Sequence, residues 1–217
     1  MTTDKGCWVI GYGSLMFKPP PHTAFRVEGF INGYIRRFWQ SSSDHRGTPE
    51  APGRVVTLVS LKDLQTHAQF AGHHVFESAK PLDQLVPSDL PVQAAAYYIE
   101  PQHVDEVREY LDVREQDGYT AHHIPFYVTQ TSDLDHPALV QLDVDSETAL
   151  PVIMSTIYIG TVENESFVGP ESISDTANVI RKSKGPSGEN VEYMDRLVEA
   201  SPDKYLTELQ QHVRALH

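Results

Sequence analysis

The sequence predicts an α+β fold, on three observations. Short apolar, β-branched runs dominate the early part of the chain, one helical stripe follows Pro101, and capped helical segments close it. Trp8-Val9-Ile10 is an apolar strand that breaks at Gly11-Tyr12-Gly13 and resumes apolar at Leu15-Met16. Two glycines one residue apart permit positive φ and let a ligand approach the main chain without a Cβ in the way. The stretch fits either a tight turn or a cradle of N–H groups for a carbonyl or an anion. Lys18-Pro19-Pro20-Pro21 enforces an extended connection. Val27 to Trp39 reads as strand, broken near Asn32-Gly33, a pair typical of tight hairpins. Ser41 to Pro52 is a polar loop before the β-branched run Arg54 to Val59. Residues 62 to 90 lack periodicity and read as a surface excursion with at most one short helix.

Ala94 to Ile99 resumes an apolar strand, and Pro101 stands where a helix favours its first residue. Val104, Val107 and Leu111 then form one stripe at i, i+3 and i+7. His123 to Thr129 and Val152 to Gly160 read as strands. Between them, residues 131 to 149 form an acidic loop with Asp133, Asp135, Asp143, Asp145 and Glu147, most simply a solvated face. Ser174 to Ser183 is a short capped helix ahead of the Gly185-Pro186-Ser187-Gly188 break. Asn190 caps a helix bearing Tyr193, Met194, Leu197 and Val198, and Ser201-Pro202 opens another bearing Leu206, Leu209 and Val213.

With 217 residues, a single domain over 1–217 is the expectation. Thirty acidic against seventeen basic side chains give a net charge of -13, which opposes binding to nucleic acid or to anionic membranes. One cysteine, Cys7, leaves no internal disulfide and fits a reducing compartment. The polar start Met1 to Gly6 and the lack of a long apolar run predict a soluble cytoplasmic protein, with the oligomeric state left open.

One carboxylate stands out. With Val104 at zero on a helical wheel of about 100° per residue, Val107, Leu111 and Glu115 fall near roughly 300°, 340° and 20°. A glutamate on the apolar stripe loses solvation, which raises its pKa and suits a base near neutral pH. The alternative is that the helix ends before Gly118, leaving Glu115 in a frayed turn beside an arginine; Arg114 itself defaults to surface pairing. The glycine loop lacks the third glycine of a dinucleotide fingerprint, and no phosphate-binding P-loop occurs. Ser14 is not in a GxSxG elbow. His73-His74 and His122-His123 are adjacent pairs that a strand would split between its faces, and no HxxxH occurs on a helix, so no metal is expected. Cys7 reads as packing, and Asn164-Glu165-Ser166 is a sequon without consequence in a cytoplasmic protein.

Four stretches occur together and in order. They are Trp8 to Leu15; Arg36-Arg37-Phe38-Trp39-Gln40 with Asp44-His45-Arg46-Gly47 and Pro52-Gly53-Arg54-Val55; Leu111-Asp112-Val113-Arg114-Glu115 with Gly118-Tyr119; and Gly185 to Asn190 with Glu192-Tyr193. In this the chain resembles the ChaC family of glutathione-specific γ-glutamylcyclotransferases over nearly its whole length. The resemblance implies a γ-glutamylcyclotransferase-like fold, a small mixed barrel-like sheet with surrounding helices. It also implies cleavage of glutathione to 5-oxoproline and cysteinylglycine, without water and without a cofactor. Glu115 is then the catalytic acid/base, and Gly11, Tyr12, Gly13, Ser14, Leu15 and Met16 hold the γ-glutamyl group. Arg54 anchors a substrate carboxylate or forms a sheet-edge ion pair. Tyr119 and Tyr158 orient the substrate or belong to the core, and Tyr193 closes the pocket. Residues 62–90 and 131–149 match no family motif. A cyclotransferase for other γ-glutamyl compounds, or a non-catalytic binding module, would keep the same residues.

Overall fold

The computed structural model describes residues 6–115, 118–131, 136–140 and 142–216. Asp133 and Asp135 of the acidic stretch and residues 1–5 of the polar start lie outside the described residues. In chain order the elements are β1 (Cys7–Gly11), β2 (Thr23–Asn32), β3 (Tyr34–Ser42), β4 (Gly53–Ser60), α1 (Leu61–Thr66), β5 (Pro91–Ile99), α2 (Val104–Arg114) and β6 (Thr120–Thr131). There follow α3 (Pro137–Val140), β7 (Asp143–Val144), β8 (Pro151–Ile159), α4 (Ile173–Lys182), β9 (Lys184–Gly185), β10 (Gly188–Glu189), α5 (Asn190–Ala200) and α6 (Lys204–Ala215). No helix among the described residues is long and apolar enough to cross a membrane. Contacts divide the chain into two compact units, Met1–Asn32 with Val92–Gln116 and Thr120–Ile159, and Gly33–Pro91 with Asp117–Tyr119 and Gly160–His217.

The first unit is a closed, mixed sheet. Its strands follow the order β1-β5-β2-β6-β8-β7, and β1 also pairs with β8 in parallel at Val9↔Thr156, which closes the ring. β1 runs antiparallel to β5 from Cys7↔Ile99 to Gly11↔Ala95, and β6 antiparallel to β8 from Thr120↔Ile159 to Tyr127↔Val152. Two residues beyond the Val9–Thr156 pair stand Gly11 on one strand and Tyr158 on the other. The closing seam therefore delivers the end of β1 to Tyr158. Pro101 opens a 3-10 turn that leads into α2, where Val104, Val107 and Leu111 are all buried, as their spacing predicts. Within the acidic stretch, α3 and β7 are short, and Val140 and Val144 are exposed.

The second unit is built on the antiparallel pair β3–β4, registered from Tyr34↔Ser60 to Ser42↔Gly53, with α1, the β9–β10 hairpin, α4, α5 and α6. Four expectations change. Asn32-Gly33 is not a hairpin turn: β2 and β3 belong to different sheets, and Gly33, at φ +84°, donates its N–H to Pro87 O and Leu90 O. Residues 62–90 are not a surface excursion, because Leu64, Phe70, Leu85 and Leu90 form one core cluster with Ile35, Trp39 and Val59. Asn190 is the first residue of α5 rather than its cap; its side-chain amide bonds Arg54 N and Arg54 O, both at 2.7 Å, pairing like a strand with the start of β4. α6 is likewise capped by Asp203, whose side chain accepts from Leu206 N–H at 2.7 Å, rather than opened by Ser201-Pro202.

Candidate active site

The glycine loop begins at the closing seam. Gly11 is buried, and a Cβ there would stand 2.6 Å from Leu15 Cβ and 3.1 Å from the Tyr97 ring. Close approach is thus what requires glycine. Positive φ is not: among the described glycines it occurs at Gly33, Gly72, Gly118 and Gly188, whereas Gly13 has φ −120°. After Gly13 the chain makes a 3-10 turn over Ser14–Met16, closed by Met16 N–H to Gly13 O at 3.0 Å. As the opening residues of that turn, Ser14 and Leu15 have no acceptor within it for their own N–H groups.

Three side chains fix the loop. Tyr97 donates its hydroxyl to Leu15 O at 2.6 Å, and Tyr12 donates to Tyr158 O at 2.9 Å. Arg114 reaches from the end of α2 to donate to Ser14 Oγ at 2.7 Å and to Tyr110 OH at 3.1 Å. Its Nε stands 3.6 Å from Glu115 Oε1, with both side chains mostly buried. At that distance the pair is a charge contact rather than a hydrogen bond.

Glu115 occupies the C-cap of α2, at φ −101° and ψ 23°, and its N–H donates to Leu111 O at 2.8 Å. Both halves of the sequence expectation therefore meet here. The helix stops at Arg114, as in the frayed-turn alternative, yet the carboxylate is shielded, with its side chain 17% exposed. Tyr158 lies beside it. Burial, a hydrogen bond to Asp112 Oδ1 at 2.8 Å and the negative charges of Asp112 and Glu115 push the Tyr158 phenol well above its ordinary pKa. Tyr158 thus remains a protonated donor across the neutral range. The first unit brings together the loop from Gly11 to Met16, Glu115 and Tyr158.

Arg54, Tyr119 and Tyr193 lie in the second unit. Arg54 makes a two-point ion pair with Glu171, Nε to Oε2 at 2.9 Å and Nη2 to Oε1 at 2.7 Å. Tyr119 donates to Val56 O at 2.9 Å, after Gly118 at φ +81°. Tyr193 is buried, edge-on to Phe38 at 5.6 Å and beneath the Arg46 guanidinium at 5.5 Å from its ring centre. Burial pulls the Arg46 pKa below its ordinary value. Sequence reasoning missed Asp112 and gave Arg114 to the surface, although both stand in the Leu111 to Glu115 stretch. The partners that show their roles, Tyr158 and Ser14, are remote in sequence.

A closed mixed sheet whose first strand ends in a loop tied to a shielded carboxylate defines the γ-glutamylcyclotransferase-like class. Within it, the chain belongs to the ChaC family, whose ChaC-like protein model matches residues 7–216. It is 45% identical over 205 residues to the glutathione-specific γ-glutamylcyclotransferase of Saccharomyces cerevisiae, covering 92% of this chain and 88% of that one. The glutathione-specific γ-glutamylcyclotransferase of Schizosaccharomyces pombe is 32% identical over 222 residues, 99% of this chain and 95% of that one. The crystal structure of the selenomethionine-labelled yeast γ-glutamyl cyclotransferase specific to glutathione superposes with a TM-score of 0.90 at 42% identity, covering 97% and 96% of the two chains.

Proposed function

We propose that the chain is a glutathione-specific γ-glutamylcyclotransferase in which Glu115 is the general acid/base. The observation that carries this reading is the shielded Glu115 carboxylate, linked through Arg114 to the loop that begins at Gly11. The α-ammonium of the glutamyl arm gives a proton to Glu115, and the free amine attacks its own γ-carbonyl carbon. A five-membered lactam closes and the C–N bond to cysteine breaks as Glu115 returns its proton to the leaving nitrogen. The second proton that the ring nitrogen must lose passes to the same nitrogen, so that cysteinylglycine departs with an ammonium group and 5-oxoproline with a lactam N–H. Water is not consumed. Amine and carbonyl already belong to one molecule, so the protein's part is to hold the arm folded with the two groups in attacking geometry. The N–H groups of Ser14 and Leu15 are the donors for the developing oxyanion.

Tyr158, kept protonated against Asp112, orients the arm. Arg54, Tyr119 and Tyr193 are candidate substrate-binding residues through the family motifs in which they stand; for Arg54 this requires a substrate carboxylate to displace Glu171. Action of residues 1–217 as one catalytic domain, supported by a family match that runs from 7 to 216, and a cytoplasmic location, supported by a lone free thiol at Cys7, belong to the same proposal. The purified protein is expected to turn over glutathione much faster than γ-glutamyl-alanine or γ-glutamyl-lysine. Equal rates on the three would defeat glutathione specificity.

Two variants probe the loop. In Gly11→Ala the new methyl collides with Leu15, and misplacement of the loop by about 1 Å is expected to lower kcat/KM by up to about 10²-fold. In Arg114→Lys the donor to Ser14 is lost, and removal of a charge-assisted hydrogen bond worth about 1.5–3 kcal/mol predicts a fall in kcat/KM of about 10-fold or more. Steady-state kinetics on glutathione checks both, and wild-type values in either variant would show that the loop does not need that contact.

A further inference from the structure

At the other end of α2 a second cluster stands apart from the loop and Glu115. His22, just after the Pro19-Pro20-Pro21 run, brings Nε2 to 2.9 Å from Glu106 Oε1. His103, immediately before α2, places Nδ1 3.8 Å from Glu106 Oε2. The two imidazole rings stack at 4.1 Å and 6° between planes. One donor atom from each of the three residues lies within 4.8 Å of the others. We propose that His22, His103 and Glu106 form a binding site for a divalent transition-metal ion of the zinc and copper type.

The donor set is two imidazole nitrogens and a carboxylate. It suits ions that accept nitrogen, whereas calcium and magnesium take oxygen ligands. Tetrahedral bonds of about 2.0–2.1 Å set donor atoms about 3.3 Å apart, so closing the site draws the donor atoms inward and turns the two stacked rings so that their nitrogens aim at one point. The two imidazoles face different oxygens of one carboxylate, which leaves a bridging position between them. Without an ion the cluster is an exposed one, held by the His22–Glu106 hydrogen bond and the ring stack, and exposed pairs of this kind add little to stability. A metal ion would use one ring nitrogen from each imidazole and an oxygen of Glu106 at once. His22 also holds a left-handed backbone, φ +55°, which is uncommon outside glycine. The exposure of Glu106, 65% of its side chain, leaves the remaining coordination positions to water. The short-range trace in the sequence is the i, i+3 pair His103 and Glu106; His22 joins from a remote loop.

The test uses one equivalent of Cu²⁺ at pH 7.5 on the intact protein, read by electron paramagnetic resonance. The wild type is expected to show two imidazole nitrogens on a single copper. His22→Asn keeps a residue that tolerates the left-handed backbone, and His103→Gln keeps a side chain of similar length. Each is expected to leave one imidazole nitrogen, and Glu106→Gln to weaken binding at least 10-fold by isothermal titration. Circular dichroism of the metal-free variants checks that the fold is kept. Failure of the wild type to retain Cu²⁺, or an unchanged two-imidazole signal in both histidine variants, would overturn the site.

Discussion

Glu115→Gln is expected to lower kcat on glutathione by about 10²–10⁴-fold, the range typical of a lost general acid/base, and to leave KM near its wild-type value. The amide keeps the size of the side chain but can neither accept the ammonium proton nor return one to the leaving amine. Because Glu115 is a cap residue whose main chain already bonds Leu111 O, the substitution should leave the melting temperature close to wild type. Steady-state kinetics with a thermal melt separates the two effects. A fall in kcat/KM accompanied by loss of fold, or retention of activity, would remove Glu115 from the chemistry.

The largest effect on stability is expected at Arg37. Its guanidinium is buried in the second unit, donating to Glu77 Oε1 at 2.7 Å, Glu77 Oε2 at 2.9 Å, Arg36 O at 2.7 Å and the carbonyl of His73. It also lies over the Tyr205 ring at 4.5 Å. Burial and the nearby Arg37 charge hold the His73 imidazole below its ordinary pKa, so His73 adds no second cation there at neutral pH. Glu77→Ala leaves a buried charge without its counter-ion, which costs about 3–5 kcal/mol and lowers Tm by roughly 10 °C. The double variant Arg37→Met with Glu77→Leu removes both charges and should recover most of that loss. Differential scanning calorimetry decides it: a double variant no more stable than Glu77→Ala would mean that packing around Arg37, and not its charge, holds the region.

Where order is local, the sequence carried it. The stripe of Val104, Val107 and Leu111 lies on one buried face, and the β-branched run from Arg54 to Val59 and the strand at Val152 occur where their side chains alternate or cluster. What escaped depends on distance along the chain. Pairing of β1 with β8 closes the sheet and brings Gly11 to Tyr158, yet no periodicity records which strands meet. Leu64, Phe70, Leu85 and Leu90 are buried singly, from a short helix and turns, and so leave no repeat to read. Asn190 has the chemistry of a cap but serves β4, because a side-chain amide can imitate a strand's main chain. At the candidate site, Glu115 was legible from the wheel even though the helix ends one residue earlier, since a C-cap side chain stays close to the stripe. Arg114 was not, because its partner Ser14 lies 100 residues away.

In the proposed reaction the glutamyl amine itself displaces cysteinylglycine. Product analysis of the purified protein with millimolar glutathione in ¹⁸O-labelled water tests it most directly. Equal amounts of 5-oxoproline and cysteinylglycine, neither carrying ¹⁸O from solvent, are the predicted result. Glutamate in place of 5-oxoproline would mean that water attacks the γ-carbonyl, and would contradict it.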